Sequence, residues 1–240
     1  MLESLAGQTL LVIGGSSGIG EATAALAARY GARVTIASRN PDRLAAALQR
    51  LPAGISSSVL DVSDAEAVAA FFAAPREAWH HVVLAGSATR VGPVRGLPLE
   101  DAHAAMQNKF WGAYHVGRSA AIRAGGSLTF VSGVFAQRPA VGAVLQGAIN
   151  GAVEALSRGL ALELAPTVRV NTVSPSTTAT PLWDRLGSEG RAAKFADMSA
   201  RLPVRRVAEP HEIARAICFI ATSGFSTGST LLVDGGDALV

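Results

Sequence analysis

A cluster of glycines near the N-terminus is the first segment whose residue types and spacing indicate chemistry. Gly14, Gly18 and Gly20 fall within residues 13–20, which read Ile-Gly-Gly-Ser-Ser-Gly-Ile-Gly. Glycines at such positions let the chain turn tightly and let a pyrophosphate approach the backbone, while the N-terminus of a following helix offers amide donors. Because the cluster joins an apolar, β-branched run to a helical pattern, it predicts a dinucleotide-binding turn.

A second candidate binding position follows the next apolar run of the chain. A carboxylate at the end of the second strand would accept hydrogen bonds from the ribose diol of NAD(H) and repel a 2′-phosphate. Ser38 and Arg39 stand there instead. Arg39 can meet a phosphate with a charge-assisted hydrogen bond, so the sequence favours NADP(H) over NAD(H). The alternative is that Arg39 is a solvated surface arginine at a helix start.

Regular alternation of two patterns must position these residues. Short apolar runs predict strands at 9–13, 34–37, 58–60, 82–84, 128–131, 168–171 and 231–233. Six helical patterns lie between them, at 18–30, 41–50, 65–74, 101–123, 144–164 and 210–221. Strict βαβ alternation demands right-handed crossovers and helices on both faces of a parallel sheet. The sequence therefore predicts a doubly wound α/β fold.

One polar segment interrupts the alternation. Residues 174–203 form the longest stretch predicted to be irregular, and they contain Leu182, Trp183, Leu186, Phe195 and Met198. Such a segment is either a lid over an apolar substrate or a small satellite core under a surface loop. Because the chain has no linker or repeat, we expect one domain over residues 1–240, with this segment as a candidate substrate lid.

Composition excludes several classes of protein. The 240 residues are 49% hydrophobic and 16% charged, which is incompatible with disorder. With 21 basic and 18 acidic residues in no basic stripe, we expect no nucleic-acid partner. No run of about 18 apolar residues could span a bilayer, and residues 1–4 lack the basic start of a secretory signal, so we expect a cytoplasmic protein with no membrane partner. The single cysteine, Cys218, predicts neither a disulfide nor a metal site.

The Gly-x-x-x-Gly-x-Gly spacing of residues 14–20 resembles the short-chain dehydrogenase/reductase family. Further matching motifs extend the resemblance over nearly the whole chain: Asp61-Val62, Ala85-Gly86, Asn108, Ser174-Pro175 and Val233-Asp234-Gly235-Gly236. The resemblance implies a Rossmann-like sheet of seven strands in the order 3-2-1-4-5-6-7 and oxidation or reduction of a small-molecule substrate. It also implies the cofactor-binding set Gly14, Ser16, Ser17, Gly18, Ile19, Gly20, Ser38, Arg39, Asp61, Val62, Ala85, Gly86, Asn150, Pro175, Thr178 and Thr180.

The residues that catalyse proton transfer in the resembling family are replaced here. The family's serine, tyrosine and lysine align with Gly133, Gln146 and Asn150, and of the four family positions only Asn108 is retained. A tyrosine with a lysine four residues later can donate a proton near neutral pH, because the ammonium favours the phenolate. Glutamine has no titratable proton. Neither tyrosine of the chain has a lysine four residues later.

Two interpretations follow from these replacements. In the first, the chain is an NADP(H)-dependent oxidoreductase in which Asn108, Ser132, Gln146, Asn150 and water position a substrate that needs no strong protein acid. Ser132 precedes the family's serine position, so its side chain faces the active site only if Gly133 forms a bulge. In the second, the chain is a pseudoenzyme that binds a nucleotide or acts as a partner subunit.

The helices at 101–123 and 144–164 predict an interface as well as an active-site wall. Gly147 and Gly151 each cost about 1 kcal/mol against alanine in a helix interior, so close packing must offset them. In the resembling family, these two helices form a dimer interface and the C-terminal segment, here 237–240, helps to build tetramers. We therefore expect a homodimer or homotetramer.

Overall fold

A computed structural model of the chain describes residues 4–75, 77–86 and 90–240, so residues 1–3, on which part of the targeting expectation rests, lie outside it. Seven strands form one parallel sheet in the order β3-β2-β1-β4-β5-β6-β7. The strands are β1 (Thr9–Ile13), β2 (Arg33–Ser38), β3 (Ser56–Val59), β4 (Trp79–Leu84), β5 (Ile122–Val131), β6 (Arg169–Pro175) and β7 (Thr230–Val233). The predicted fold class and strand order are confirmed.

Helices cover both faces of the sheet. They are α1 (Gly18–Arg29), α2 (Pro41–Leu48), α3 (Ala65–Ala73), α4 (Leu99–Met106), α5 (Gly112–Ser119), α6 (Val144–Glu163), α7 (Gly187–Arg201) and α8 (Pro210–Thr222). Local chemistry sets several starts: the Asn40 side chain accepts from the Arg43 amide before α2, and Asp64 accepts from two amides of α3. Within the described ranges, no helix combines the length and apolarity that a membrane crossing needs.

One helix prediction was wrong in extent. The helix predicted at 101–123 is divided by a π-helical turn, Gln107–Trp111, and ends at Ser119. Residues 122 and 123 already belong to β5, which is ten residues long. A π turn inserts one residue into the helix and rotates everything after it, which sequence periodicity alone does not reveal.

The segment predicted to be irregular, 174–203, is largely helical. β6 extends to Pro175, a 3-10 helix covers Pro181–Leu186, and α7 follows directly. Of the α7 residues only Met198 is buried, and Phe195 packs edge-on against Trp183. Because α7 is poor in apolar residues, no apolar run marks it in the sequence.

The central strands are buried on both faces, and this fixes where a ligand can bind. Leu11 and Ile13 face the core under α3, α5 and α6, whereas Leu10 and Val12 face the core under α1, α2 and α8. Chain order reverses between β1 and β4, which are neighbours in the sheet. The connections that leave their carboxyl ends diverge, so a crevice forms at this point of the sheet.

A buried histidine lies at the opposite end of β4. His81, expected just before the fourth strand, is part of it and is 4% exposed. Its Nδ1 lies 2.8 Å from Ser127 Oγ and its Nε2 lies 2.6 Å from Gln8 Oε1. Burial, helped by the charge of Arg169, lowers the pKa of His81 to about 4. These contacts support a structural role and place His81 far from the crevice.

The depressed pKa of His81 makes the fold sensitive to acid. The unfolded chain binds a proton near pH 6.5 while the folded chain resists it, so this contribution to stability is complete above pH 6.5 and is lost as pH falls towards 4. We expect urea denaturation to show that the free energy of unfolding falls by about 2 to 3 kcal/mol between pH 7 and 4.5 because of His81. His81→Gln should lack this part of the pH dependence. His103→Gln is the control, because His103 is exposed, and this variant should lose as much stability on acidification as the wild-type chain. An unchanged pH dependence of stability in His81→Gln would contradict the assignment.

Candidate active site

Close contact between two backbone segments shapes the floor of the crevice. Gly14 has φ +84°, and a Cβ at this position would lie 2.2 Å from the Gly86 amide nitrogen. A Cβ on Gly20 would lie 2.2 Å from the Gly14 carbonyl oxygen. Any side chain at these positions would displace backbone, so the turn after β1 must be built from glycine.

The N-terminus of α1 is open towards the crevice. Ser17 precedes α1 in extended conformation and makes no side-chain cap hydrogen bond. Amides of the first helical turn, which are candidates to bind an anion, therefore have no capping side chain. Thr180 closes one side, since a Cβ on Gly18 would lie 3.0 Å from its methyl carbon. The structure brings the predicted phosphate-binding turn and Thr180 together.

The predicted adenosine-side residues lie at the carboxyl ends of β2 and β3. Asp61 Oδ1 accepts hydrogen bonds from the Ser63 amide at 2.9 Å and from Ser63 Oγ at 2.7 Å. Although burial acts to raise the pKa of Asp61, these hydrogen bonds and the charge of Arg39 hold it below its ordinary value. Arg39 is exposed and donates to Asn108 Oδ1 at 3.3 Å, so it reaches from the end of β2 to the π turn after α4.

The remaining predicted cofactor positions line the crevice or support it. The Ala85 amide donates to the Ile13 carbonyl at 2.9 Å, which ties β4 to the glycine turn. Val62 packs against Gly112, where a Cβ would lie 2.7 Å from a Val62 methyl. Thr178 is buried and bridges to Ala208 on the lid side, beyond Pro175. Each of these residues borders the same end of the sheet.

The serine that stands where the resembling family has a glycine, Ser176, has a structural partner. Its hydroxyl donates to Asp237, which is 1% exposed and also pairs with Arg138 and Arg201. Arg201 ends α7, so this buried carboxylate connects the segment after β6, the C-terminal segment and α7. Ser176 therefore helps to hold these three segments together.

The three positions that replace the family's serine, tyrosine and lysine hold no ionisable group. Gln146 is 6% exposed, its Nε2 donates to the Arg90 carbonyl, and its Oε1 has no hydrogen-bond partner within the described ranges. Asn150 is 4% exposed and donates to the Gly133 carbonyl at 3.1 Å. A Cβ on Gly133 would lie 2.8 Å from Asn150 Nδ2, so the asparagine amide fills the space of the missing serine.

Ser132 faces a buried carboxylate. Its hydroxyl donates to Glu154 Oε1 at 2.7 Å, and Gln137 Nε2 donates to Glu154 Oε2 at 2.6 Å. Ser132, Glu154 and Gln137 form a network behind the end of β5. Glu154 is thus a charged residue close to the active site, although sequence reasoning did not single it out.

The second residue that sequence reasoning missed is Lys109, which follows Asn108 in the π turn. Its Nζ donates to the Ser132 carbonyl at 2.8 Å. Burial lowers the pKa of Lys109 to about 8, and the negative charge of Glu154 opposes this effect. The rarity of lysine, with two in the chain, and the adjacency to Asn108 were the available sequence signals.

A large cleft lies beside the floor of the crevice. Its volume is about 780 Å³, within the range of small-molecule sites. The loop before α4 supplies most of its apolar wall, and the 3-10 helix Pro181–Leu186 contributes Leu182 and Arg185. Two further lining residues, Arg90 and Asp101, form an ion pair at 3.1 Å. The cleft therefore combines apolar walls with a few charged groups, as substrate pockets do.

Comparison with known proteins places this architecture in a family. The family model described as Enoyl-(Acyl carrier protein) reductase matches residues 13–237. A short-chain dehydrogenase/reductase of Stachybotrys chlorohalonatus is 30% identical over 251 residues, covering 98% of this chain and 98% of that protein.

Solved structures agree closely. A glucose/ribitol dehydrogenase-type short-chain dehydrogenase/reductase of Brucella melitensis is 27% identical, with a TM-score of 0.90 and 98% coverage of both chains. An NADPH-bound short-chain oxidoreductase of Pseudomonas aeruginosa PAO1, described as containing an atypical catalytic center, is 33% identical, with a TM-score of 0.89 and 98% coverage of both chains. From motif, fold and near-complete alignment alike, the chain belongs to the short-chain dehydrogenase/reductase family of oxidoreductases.

Proposed function

We propose that this chain is an NADP(H)-dependent oxidoreductase that acts on a small carbonyl, alcohol or conjugated substrate and does not use the family's tyrosine–lysine pair for proton transfer. The observation that supports the proposal is the glycine-built turn after β1 together with the uncharged residues Gly133, Gln146 and Asn150. When bound, NADP(H) supplies or accepts a hydride. Gly14 and Gly20 leave room for its pyrophosphate, and the uncapped start of α1 offers amide donors.

Arg39 supports the choice of NADP(H). It is exposed at the carboxyl end of β2, where a carboxylate would select the ribose diol of NAD(H). Its present partner, the Asn108 amide oxygen at 3.3 Å, is a neutral acceptor that a phosphate can replace. The structure of the Pseudomonas aeruginosa relative contains NADPH, which supports the same choice of cofactor.

Substitution of Arg39 should weaken the binding of NADPH more than the binding of NADH. We expect Arg39→Ala to weaken NADPH binding about 10- to 100-fold, because it removes a charge-assisted hydrogen bond, and to change NADH binding much less. Calorimetry with both nucleotides measures this difference. Arg29→Ala, an equal change of charge at the far end of α1, is the control and should leave NADPH affinity within twofold. Tighter binding of NADH than NADPH by the unmodified chain would contradict the assignment.

The residues at the hydride-transfer end set the chemistry that we propose. Gln146 and Asn150 can donate or accept hydrogen bonds, but neither side chain can release a proton and recover it. General acid–base catalysis is typically worth about 10² to 10⁴ in rate. We therefore expect substrates whose reduction needs no acid from these two side chains, such as conjugated or already cationic acceptors.

One observation favours a second candidate function, that of a pseudoenzyme that binds nucleotide or ligand. Gln146 is tied to the Arg90 carbonyl and Asn150 to the Gly133 carbonyl, so both side chains brace the backbone. In this alternative, the crevice serves binding or subunit assembly alone. Turnover of a broad panel of ketones and enones with NADPH distinguishes the two functions.

Restoring the family's residues tests whether their loss limits the standard reaction. We expect the triple variant Gly133→Ser, Gln146→Tyr, Asn150→Lys to reduce simple ketones at least 100-fold faster than the unmodified chain, because it regains an ionisable donor. Gly133→Ser alone should not, since its Cβ would meet Asn150 Nδ2 at 2.8 Å. Steady-state rates with NADPH measure both, and brisk ketone reduction by the unmodified chain would refute the premise.

We also propose that the chain forms homodimers or homotetramers through the surface of α4, α5 and α6. Large apolar side chains are exposed there: Leu99, Trp111, Tyr114, Val144 and Leu162, the last of them 83% exposed. An apolar surface of this kind marks an association site in a soluble protein. A cytoplasmic location remains our expectation from composition.

Substitution on this surface should shift the assembly state. Light scattering at micromolar concentration should give at least twice the 24.5 kDa of one chain, and Trp111→Glu with Leu162→Glu should lower it to the monomer. Phe225→Glu, at an equally apolar but separate exposed site, should leave it unchanged. A monomeric unmodified chain would contradict the proposal.

A further inference from the structure

Lys109 lies beside the crevice but has no role in the proposed function. It lies in the π turn Gln107–Trp111, between α4 and α5. Single π turns inside helices re-aim side chains and are frequent at functional sites. Here the turn directs the lysine under the end of β5, where Nζ donates to the Ser132 carbonyl at 2.8 Å.

A buried negative charge balances this cation. Ser132 links the two, because its carbonyl accepts from Lys109 and its hydroxyl donates to Glu154 at 2.7 Å. Glu154 belongs to α6, the same helix as Asn150. Among the described residues, Glu154 is the charged group whose field acts on Lys109, and the strands that line the adjoining space present Leu84, Phe130 and Val131.

A small cavity borders both Lys109 and Gly86. Lys109, Gly86 and five apolar residues line it, and its volume of about 10 Å³ is close to the smallest that holds one water molecule. Gly86 is the residue that packs against Gly14 in the glycine turn after β1. The cavity therefore adjoins both the lysine side chain and the floor of the crevice.

We propose that Lys109 is the proton source of this active site: from a helix that does not supply it in the resembling family, its ammonium delivers a proton through one water in this cavity to the reduced substrate. The inference rests on the proposed function. It gives the atypical centre an ionisable group in place of the absent tyrosine and lysine.

With Lys109 as the proton source, every proton transferred in a carbonyl reduction is accounted for. A bound NADPH would supply the hydride of the new C–H bond, and the carbonyl oxygen, which receives the π electrons, would become an alkoxide. The water protonates the alkoxide oxygen and takes a proton from the Lys109 ammonium. A neutral amine remains, which solvent reprotonates, while Ser132 and Glu154 hold it in place through the cycle.

Because the chain has only two lysines, Lys109 can be observed directly. In the full-length protein with ¹³C-labelled lysine, the Lys109 signal should titrate near pH 8, and saturating NADPH should shift it while the Lys194 signal stays in place. Lys109→Met identifies the signal. Titration of Lys109 near its ordinary value of about 10.4, or a signal that NADPH leaves unmoved, would overturn the inference.

A pH profile distinguishes a proton source from a structural cation. The reaction needs the ammonium, so kcat/KM for reduction of a panel of activated ketones, o-quinones and enones should fall about tenfold per pH unit above pH 8. Lys109→Arg keeps the charge without a titratable proton in this range, so it should lower the rate about 10²- to 10⁴-fold and abolish the fall. Glu154→Gln removes the charge that favours the ammonium and should move the fall to lower pH.

The outcomes separate this inference from the proposed function. Failure of the unmodified chain to bind NADPH in calorimetry would overturn both. Tight NADPH binding with no reduction of any panel member would overturn the oxidoreductase function and the role of Lys109 with it. Reduction with the same pH profile in Lys109→Arg as in the unmodified chain would overturn the role of Lys109 alone. Lys194→Met is the matched control and should retain the wild-type profile.

Discussion

The contact between Gly14 and Gly86 is the constraint on which the rest of the site depends. With only hydrogen at the α-carbon, the turn after β1 can press against the end of β4. This contact brings the start of α1 to the point where β1 and β4 diverge, which is where a doubly wound sheet offers a crevice. Arg39, Asp61 and Thr180 then border the same space from three other loops.

At the hydride-transfer end, the replacements compensate one another. Gly133 makes room for the Asn150 amide, Asn150 hydrogen-bonds the Gly133 carbonyl, and Gln146 holds the Arg90 carbonyl. The positions that carry ionisable groups in the family thus became backbone supports here. Positive charge remains nearby, since Lys109 lies behind the same strand end and is balanced by Glu154.

Sequence reasoning succeeded where a feature depends on local pattern. The alternation of strands and helices and the glycine turn followed from periodicity and motif spacing, whereas the strand order and the alignment of positions 133, 146 and 150 followed from the family resemblance. Sequence reasoning failed for α7, which is poor in apolar residues, and for the π turn at Gln107–Trp111, which periodicity does not reveal. Glu154 was missed for a similar reason: one charge on an otherwise uncharged helix face has no meaning until its partners are known.

The sequence by itself determined the doubly wound fold, the glycine turn after β1 and the absence of an ionisable side chain at positions 146 and 150, because each is a property of residue type at fixed spacing. Only the tertiary structure decided that Lys109, Ser132 and Glu154 meet. They come from the π turn, β5 and α6, and a helix rotated by one inserted residue can direct a side chain to a different neighbour. Contacts between distant segments depend on that rotation, and no local pattern encodes it.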